Sequence, residues 1–183
     1  MNVNTALLDA WTLQHAAAFF RNMWPMYVHE ISAFDTQFYS LDASGVWQPD
    51  IVEDWVAPLT PPANLRGPGP DADQPFQRAH VITSDGLPVG FVCTGTTPFR
   101  YMPEAVDHVV AEFFLIHAAR GTGIADSALG HILKRYPGRW HLRAIHDNLR
   151  AIRFWGRALP EAGVRDLQEG VEDGDVTWRF TSG

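Results

Sequence analysis

Apolar positions recur along this 183-residue chain in more than one period. From about Leu13 they fall three and four apart: Leu13, Ala16, Ala17, Phe20, Met23, Trp24, Tyr27, Ile31. That spacing predicts an amphipathic helix, with Thr12 as a candidate cap and Pro25 as a kink or break. A short strand is predicted before it, over residues 3–8. Val52-Glu53-Asp54-Trp55-Val56 reads as a helical turn or short helix. Residues 58–75 are too rich in proline and glycine for regular structure and predict an exposed loop. Residues 77–84 and 88–96 then read as two strands joined at Ser84-Asp85-Gly86, a hairpin signal. A loop over 97–106, with Arg100 and Tyr101, leads to an apolar run from His108 to Ile116, a buried strand. Two glycines turn the chain at Gly121 and Gly123, and helical spacing resumes from Ala125 to Leu133. Tyr136-Pro137-Gly138 stops that helix. Trp140 to His146 alternates as a strand should. Asp147-Asn148 opens a helix running to Leu159, with Ala151, Ile152, Phe154 and Trp155 at helical spacing. Two closing strands, 163–172 and 175–181, meet at Glu172-Asp173-Gly174-Asp175.

The length predicts one domain, with a first part over 1–76 and a core over 77–183. No apolar run is long enough to span a membrane. The one cysteine, Cys93, excludes an intrachain disulfide and suits a reducing compartment. With no basic-apolar leader at the start, a cytoplasmic location is expected. Charge changes the picture more. Residues 1–75 hold nine acids and two bases, a net −7 equal to that of the whole chain. Residues 120–157 hold eight bases and two acids, a net +6. A basic half suits a phosphorylated cofactor and an acidic half suits a cationic acceptor; alternatively these are solvated faces. The acidic whole argues against a nucleic-acid partner.

The strand–glycine turn–helix at 112–133 is a phosphate-binding geometry. Amides at a helix start lack intrahelical acceptors, and the helix dipole favours an anion there. Gly121 and Gly123 permit close approach of a diphosphate, and Arg120 adds a permanent charge. A P-loop would need Lys-Ser/Thr after the second glycine, and the dinucleotide fingerprint would need a third glycine. Neither is present. Arg120-x-x-Gly123-x-Ala125 instead resembles the (Gln/Arg)-x-x-Gly-x-(Gly/Ala) motif of the GNAT superfamily of acetyl-CoA-dependent N-acetyltransferases. Asn148-x-x-Ala151-x-x-Phe154-Trp155 resembles that superfamily's second motif, Asn-x-x-Ala-x-x-Phe-(Tyr), at the expected separation. The likeness is specific over about 77–181 and general over 1–76.

The resemblance implies an α/β fold with a central, mostly antiparallel mixed sheet. Its fourth and fifth strands splay, with acetyl-CoA between them. It implies that backbone groups of Phe113, Phe114 and Leu115 meet the pantetheine arm. The Leu115 amide would stabilise an oxyanion. Amides from Gly121 through Thr122, Gly123, Ile124 and Ala125 to Asp126 would hold the diphosphate, beside Arg120. Asn148 and Ala151 would lie on the cofactor side, a role compatible with Asn148 being a plain N-cap. Tyr27, His29 and Glu30 are candidate acceptor contacts. Glu112 is the candidate base for deprotonating the amine, since burial raises a carboxylate's pKa; the alternative is a partnered structural carboxylate. His117 is a weaker candidate.

Position 155 departs from the family. A tyrosine there protonates the leaving thiolate, whereas the Trp155 indole is no useful acid near neutral pH. Three explanations stand: water or another group supplies the proton; Tyr136, Tyr101 or Tyr27 substitutes; or acyl-CoA is bound without efficient transfer. The function expected is N-acetyl transfer to the primary amine of a small cationic molecule or peptide. The alternative is a catalytically weak acetyl-CoA-binding regulator. Dispersed histidines and a single cysteine give no argument for a metal. No membrane partner is expected, and family likeness leaves a homodimer open.

Overall fold

The computed structural model describes residues 5–9, 16–35, 39–48, 52–56, 77–99, 102–103 and 105–183. Thr12, the loop over 58–75, Arg100 and Tyr101 lie outside the described residues. The elements run β1 (Thr5–Asp9), α1 (Ala16–Ile31), β2 (Ser40–Leu41), β3 (Trp47–Gln48), α2 (Val52–Val56), β4 (Gln77–Ser84), β5 (Leu87–Gly95), β6 (His108–Leu115), α3 (Ile124–Arg135), β7 (Gly138–Ala144), α4 (Leu149–Glu161), β8 (Arg165–Glu172) and β9 (Asp175–Ser182). β1 and β4 to β9 form a seven-stranded sheet in the order β1-β4-β5-β6-β7-β9-β8. Every neighbouring pair is antiparallel except β6 and β7. That parallel pair is possible because α3 carries the chain back from the end of β6 to the start of β7.

Side chains divide between the two faces of the sheet. Phe91, Cys93, Val109 and Phe114 join Phe20, Trp24, Tyr27 and Val28 of α1 and Val52, Trp55 and Val56 of α2 in one core. Val92, Val110 and Leu115 join Ile124, Ala128, Leu129, Ile132 and Leu133 of α3 and Trp155, Ala158 and Leu159 of α4 in the other. Adjacent residues Phe91, Val92 and Cys93 alternate between the two, as a strand requires.

The expected break at Pro25 does not occur. α1 runs unbroken from Ala16 to Ile31 with Pro25 inside it. Pro25 is exposed, so the hydrogen bond it omits is lost at the solvent side of the helix and not in the core. The Ser84-Asp85-Gly86 hairpin holds: Asp85 and Gly86 take positive φ of 51° and 79°, the conformation a tight β-hairpin turn needs. The small β2–β3 ladder, Ser40 with Gln48 and Leu41 with Trp47, was not foreseen. With two residues a side it leaves no periodic signal.

Candidate active site

β6 organises the site through one irregularity. Its pairing with β5 runs Gly90–Leu115, Phe91–Phe114, Val92–Phe113, Cys93–Glu112 and then jumps to Thr94–Val110. Ala111 is therefore an extra residue, a β-bulge. A strictly alternating strand would place Glu112 on the face of Val110, beneath α3 and α4. The bulge gives Ala111 and Glu112 the same face, so Glu112 turns toward α1. The pairing with β7 also ends here: it covers His108–Trp140, Val109–His141 and Val110–Leu142 and no more. From Ala111 to Leu115 one edge of β6 is left by β7.

The ladder shows which groups face that edge. The Ile116 N–H donates to the Val89 carbonyl at 3.0 Å. Alternation then points the backbone groups of Phe114 at β5 and those of Phe113 and Leu115 at the open edge. Of the three residues expected to meet a pantetheine arm through their backbone, Phe114 is turned the wrong way. Its backbone faces Phe91 and its ring packs on the α1 side, 5.8 Å from the Tyr27 ring. The Leu115 N–H does face the cleft.

Glu112 is partly buried, directly across the ladder from the buried Cys93. The Tyr27 hydroxyl, brought by α1, donates to Glu112 Oε2. Burial pushes the Glu112 carboxyl up to about 7, and the Tyr27 hydrogen bond acts in the opposite direction. Burial, then the charge of Glu112, raises the Tyr27 phenol well above its usual range. Tyr39 joins the group: burial, Glu112 and Asp35 raise its phenol too. Cys93 is raised by burial and then by Glu112. Sequence reasoning missed Tyr39 and Cys93 as members of the site. Tyr39 lies in an aperiodic stretch, and Cys93 meets Glu112 only through a register that no composition reveals.

The three residues of α1 expected to contact an acceptor separate. Tyr27 reaches Glu112. Glu30, one turn on, accepts from Arg120 at 2.7 Å through both carboxylate oxygens and lies 2.9 Å from His117 Nε2. His29 is exposed and lies against Trp47 of β3, ring centroids 6.1 Å apart. Arg120 also donates from Nε to the Leu115 carbonyl at 2.8 Å.

At the glycine turn, Gly121 and Gly123 have φ of 72° and 85°, and a Cβ on either would meet nothing within 4 Å. The glycines are thus required by backbone conformation, and the space above them is open. Gly123 caps α3 without any side-chain hydrogen bond, so the first amides of the helix keep no side-chain acceptor. Thr122 Oγ1 is engaged with the Ala119 carbonyl at 2.7 Å, and Asp126 with Arg157 at 2.7 Å. Ile124 is buried beneath the turn, and Ala125 packs partly against the same core. At the other helix, Asn148 caps α4 by accepting from the Ala151 N–H at 3.1 Å. Trp155 is buried, edge-on to Phe113 at 5.4 Å. Tyr136 packs with His80, His108 and Arg78 at the opposite end of β6 from Leu115. At about 3.3 Å per residue that is some 20 Å from the splayed end, which removes Tyr136 as a substitute acid. A surface groove between α3 and α4, lined by Asp126, Gly130, Leu133, Lys134, Ala158 and Glu161, lies on the sheet face opposite Glu112.

No protein-family model matches the chain, and no curated protein matches it in sequence. Solved structures match it in fold. A chain from Desulfovibrio desulfuricans assigned to the GNAT family of acetyltransferases superposes with a TM-score of 0.57 at 14% identity, covering 96% of each chain. Aminoglycoside acetyltransferase AAC(6')-Ib with coenzyme A gives 0.58 at 12% identity, over 99% of this chain and 95% of that one. The same enzyme with coenzyme A and kanamycin gives 0.53 at 13%, over the same shares. The mixed sheet, its splayed parallel pair and the glycine turn after β6 are together the fold of the GNAT acetyltransferases.

Proposed function

We propose that this chain is an N-acetyltransferase that moves the acetyl group of acetyl-CoA to a primary amine of a small cationic molecule or peptide. The carrying observation is the open edge of β6 beyond Val110, followed across the glycine turn by the uncapped start of α3. Acetyl-CoA supplies the reactive thioester. On this reading the turn from Gly121 to Asp126 offers its amides to the diphosphate. Phe113 and Leu115 present backbone groups to the pantetheine arm, and the Leu115 N–H faces the acetyl oxygen as an oxyanion donor. Glu112 takes the proton from the attacking amine; a carboxyl held at about 7 is matched to that task near neutral pH. Trp155 walls the cleft through Phe113 and supplies no proton. A thiol with a pKa of about 8.5 leaves well enough for water, or the Tyr27–Glu112 pair, to protonate it. The whole chain is read as one such domain, with residues 1–76 on the acceptor side. The crystal structure of aminoglycoside acetyltransferase AAC(6')-Ib holds coenzyme A and kanamycin. The acidic first part of this chain suits a cationic acceptor as well.

One observation favours a second reading, an acetyl-CoA-binding regulator: the family's tyrosine is replaced by a buried Trp155. Two measurements test both. Acetyl-CoA or CoA should raise the melting temperature, as a ligand of the folded state must; saturation at about 100 times Kd is worth about 2.7 kcal/mol. ATP, the nucleotide control, should do so far less. Thr122→Glu, at an exposed turn position, should abolish the shift by repelling the diphosphate. No shift in the wild type ends the acyl-CoA reading. A shift without thiol release across an amine panel leaves the regulator.

A further inference from the structure

Arg120 stands first in the glycine-turn motif, where its charge would suit a diphosphate. Its guanidinium is already engaged through Nε and one terminal nitrogen. Nε donates to the Leu115 carbonyl at 2.8 Å, one terminal nitrogen bridges both oxygens of Glu30 at 2.7 Å, and the other lies 3.3 Å from His117 Nε2. Arg120 is 22% exposed and Glu30 29%, so this pair is well shielded compared with an ordinary surface ion pair.

The acceptor of the Nε bond matters most. Leu115 faces the edge of β6 that β7 no longer pairs. Its carbonyl would be an unpaired acceptor, and Arg120 occupies it. The Leu115 carbonyl and the Ile116 N–H belong to one peptide group. Arg120 holds that group at one end and the Val89 carbonyl holds it at the other. The preceding peptide group is held by the β5 ladder through the Phe114 carbonyl, which leaves the Leu115 N–H aimed at the cleft. The whole arrangement is braced from α1, the helix that also brings Tyr27 to Glu112.

We propose that Arg120 is a positioning strut and not a phosphate ligand: it replaces the missing β7 partner at Leu115, and Glu30 locks it there from α1. Its kinetic consequence rests on the acetyltransferase reading. A strut of this kind fixes the angle of the Leu115 N–H and ties the acceptor helix to the donor strand. Losing either partner then lowers turnover without weakening cofactor binding.

The test uses the full chain as wild type, Arg120→Ala, Glu30→Gln and the double variant. Acetyl-CoA affinity is read by titration, kcat and KM by thiol release, and the Leu115 and Ile116 amides of the free protein by 15N NMR. Each single variant should lose kcat by about tenfold or more, the scale of a misplaced catalytic group. The double variant should be no worse than the worse single, since both remove one interaction. The Kd for acetyl-CoA should stay within about threefold, because the loss is in transition-state stabilisation and not in ground-state binding. Both amides should shift in the same direction in both single variants. A fall in acetyl-CoA affinity of about tenfold in Arg120→Ala with none in Glu30→Gln would overturn the strut and make Arg120 a phosphate ligand. Amides unmoved in Glu30→Gln would overturn it too. Should the wild type bind no acetyl-CoA, the functional reading fails on that titration alone, and the amide shifts still decide the strut.

Discussion

Glu112 is an acid held against its own ionisation. Its carboxyl is raised from 4.5 to about 7, burial being the cause, with the Tyr27 bond opposing. The folded protein then binds more protons than the unfolded chain between those values, so stability falls as pH rises through that window. The contribution is intact below about pH 4.5 and lost above about pH 7. Ionising Glu112 in its buried place costs about 3 kcal/mol, as an order of magnitude. Glu112→Gln keeps the shape and an acceptor for Tyr27 while removing the charge. It should melt higher than wild type at pH 8, show no advantage near pH 4.5, and lose most of its turnover. In the wild type, activity should rise through about pH 7 as Glu112 ionises. Tyr27→Phe removes a bond that favours the ionised form, so this rising limb should move to higher pH. A profile flat from pH 6 to 8, or unmoved by Tyr27→Phe, would place the base elsewhere.

At the scale of the element, the end of β6 is set by close contacts as much as by hydrogen bonds. A Cβ on Gly90 would lie 2.1 Å from the Phe114 carbonyl oxygen and 2.7 Å from Leu115 Cδ2. Gly90→Ala therefore has to push the Phe114–Leu115 segment away from β5. It should cost about 1–3 kcal/mol and weaken acetyl-CoA binding, both readable in one thermal titration. Gly130→Ala is the control. It lies within α3 with open space at its Cβ, and should stabilise by up to about 1 kcal/mol without touching the cofactor. Equal effects of the two substitutions would mean that the β5 contact does not set the cleft.

The same strand shows what sequence could and could not reveal. The apolar run at 108–116, the glycine turn, the alternation at 140–146 and the Asn148 cap were legible because each depends on local periodicity or local backbone demand. The bulge at Ala111 was not. It is a mismatch between two strands, Cys93 facing Glu112 while Thr94 faces Val110, and alanine carries no mark of it. With the bulge hidden, the face of Glu112, its neighbours Cys93 and Tyr39, and the backbone direction of Phe114 were hidden too. The pairing of Arg120 with Glu30 crosses 90 residues and was equally out of reach. Charge type alone suggested a phosphate for the first and a substrate for the second.

Over the whole molecule, charge is segregated along the chain, net −7 over residues 1–75 and +6 over 120–157. The structure tempers the basic side. Arg120, Arg139, Arg143 and Arg157 are paired with Glu30, Asp107, Asp175 and Asp126. Arg157 and Asp126 already cancel within the +6, but Arg120, Arg139 and Arg143 pair with acids outside residues 120–157, so the effective positive field is smaller than the net suggests. The acidic side gives up Glu30 to Arg120 and has two bases of its own, Arg21 and Arg66, in residues 1–75. Asymmetry of this kind acts through long-range attraction, which salt screens over about 10 Å at 0.1 M and about 3 Å at 1 M. A dicationic amine should therefore be preferred over a monocationic amine of similar shape at low salt. That ratio of kcat/KM should fall several-fold between about 0.01 and 0.5 M salt. Short-range contacts at Glu112 are common to both amines and cancel in the ratio. A ratio that stays flat would assign the acidic half to solvation alone and leave acceptor choice to the contacts around Tyr27, Tyr39 and Glu112.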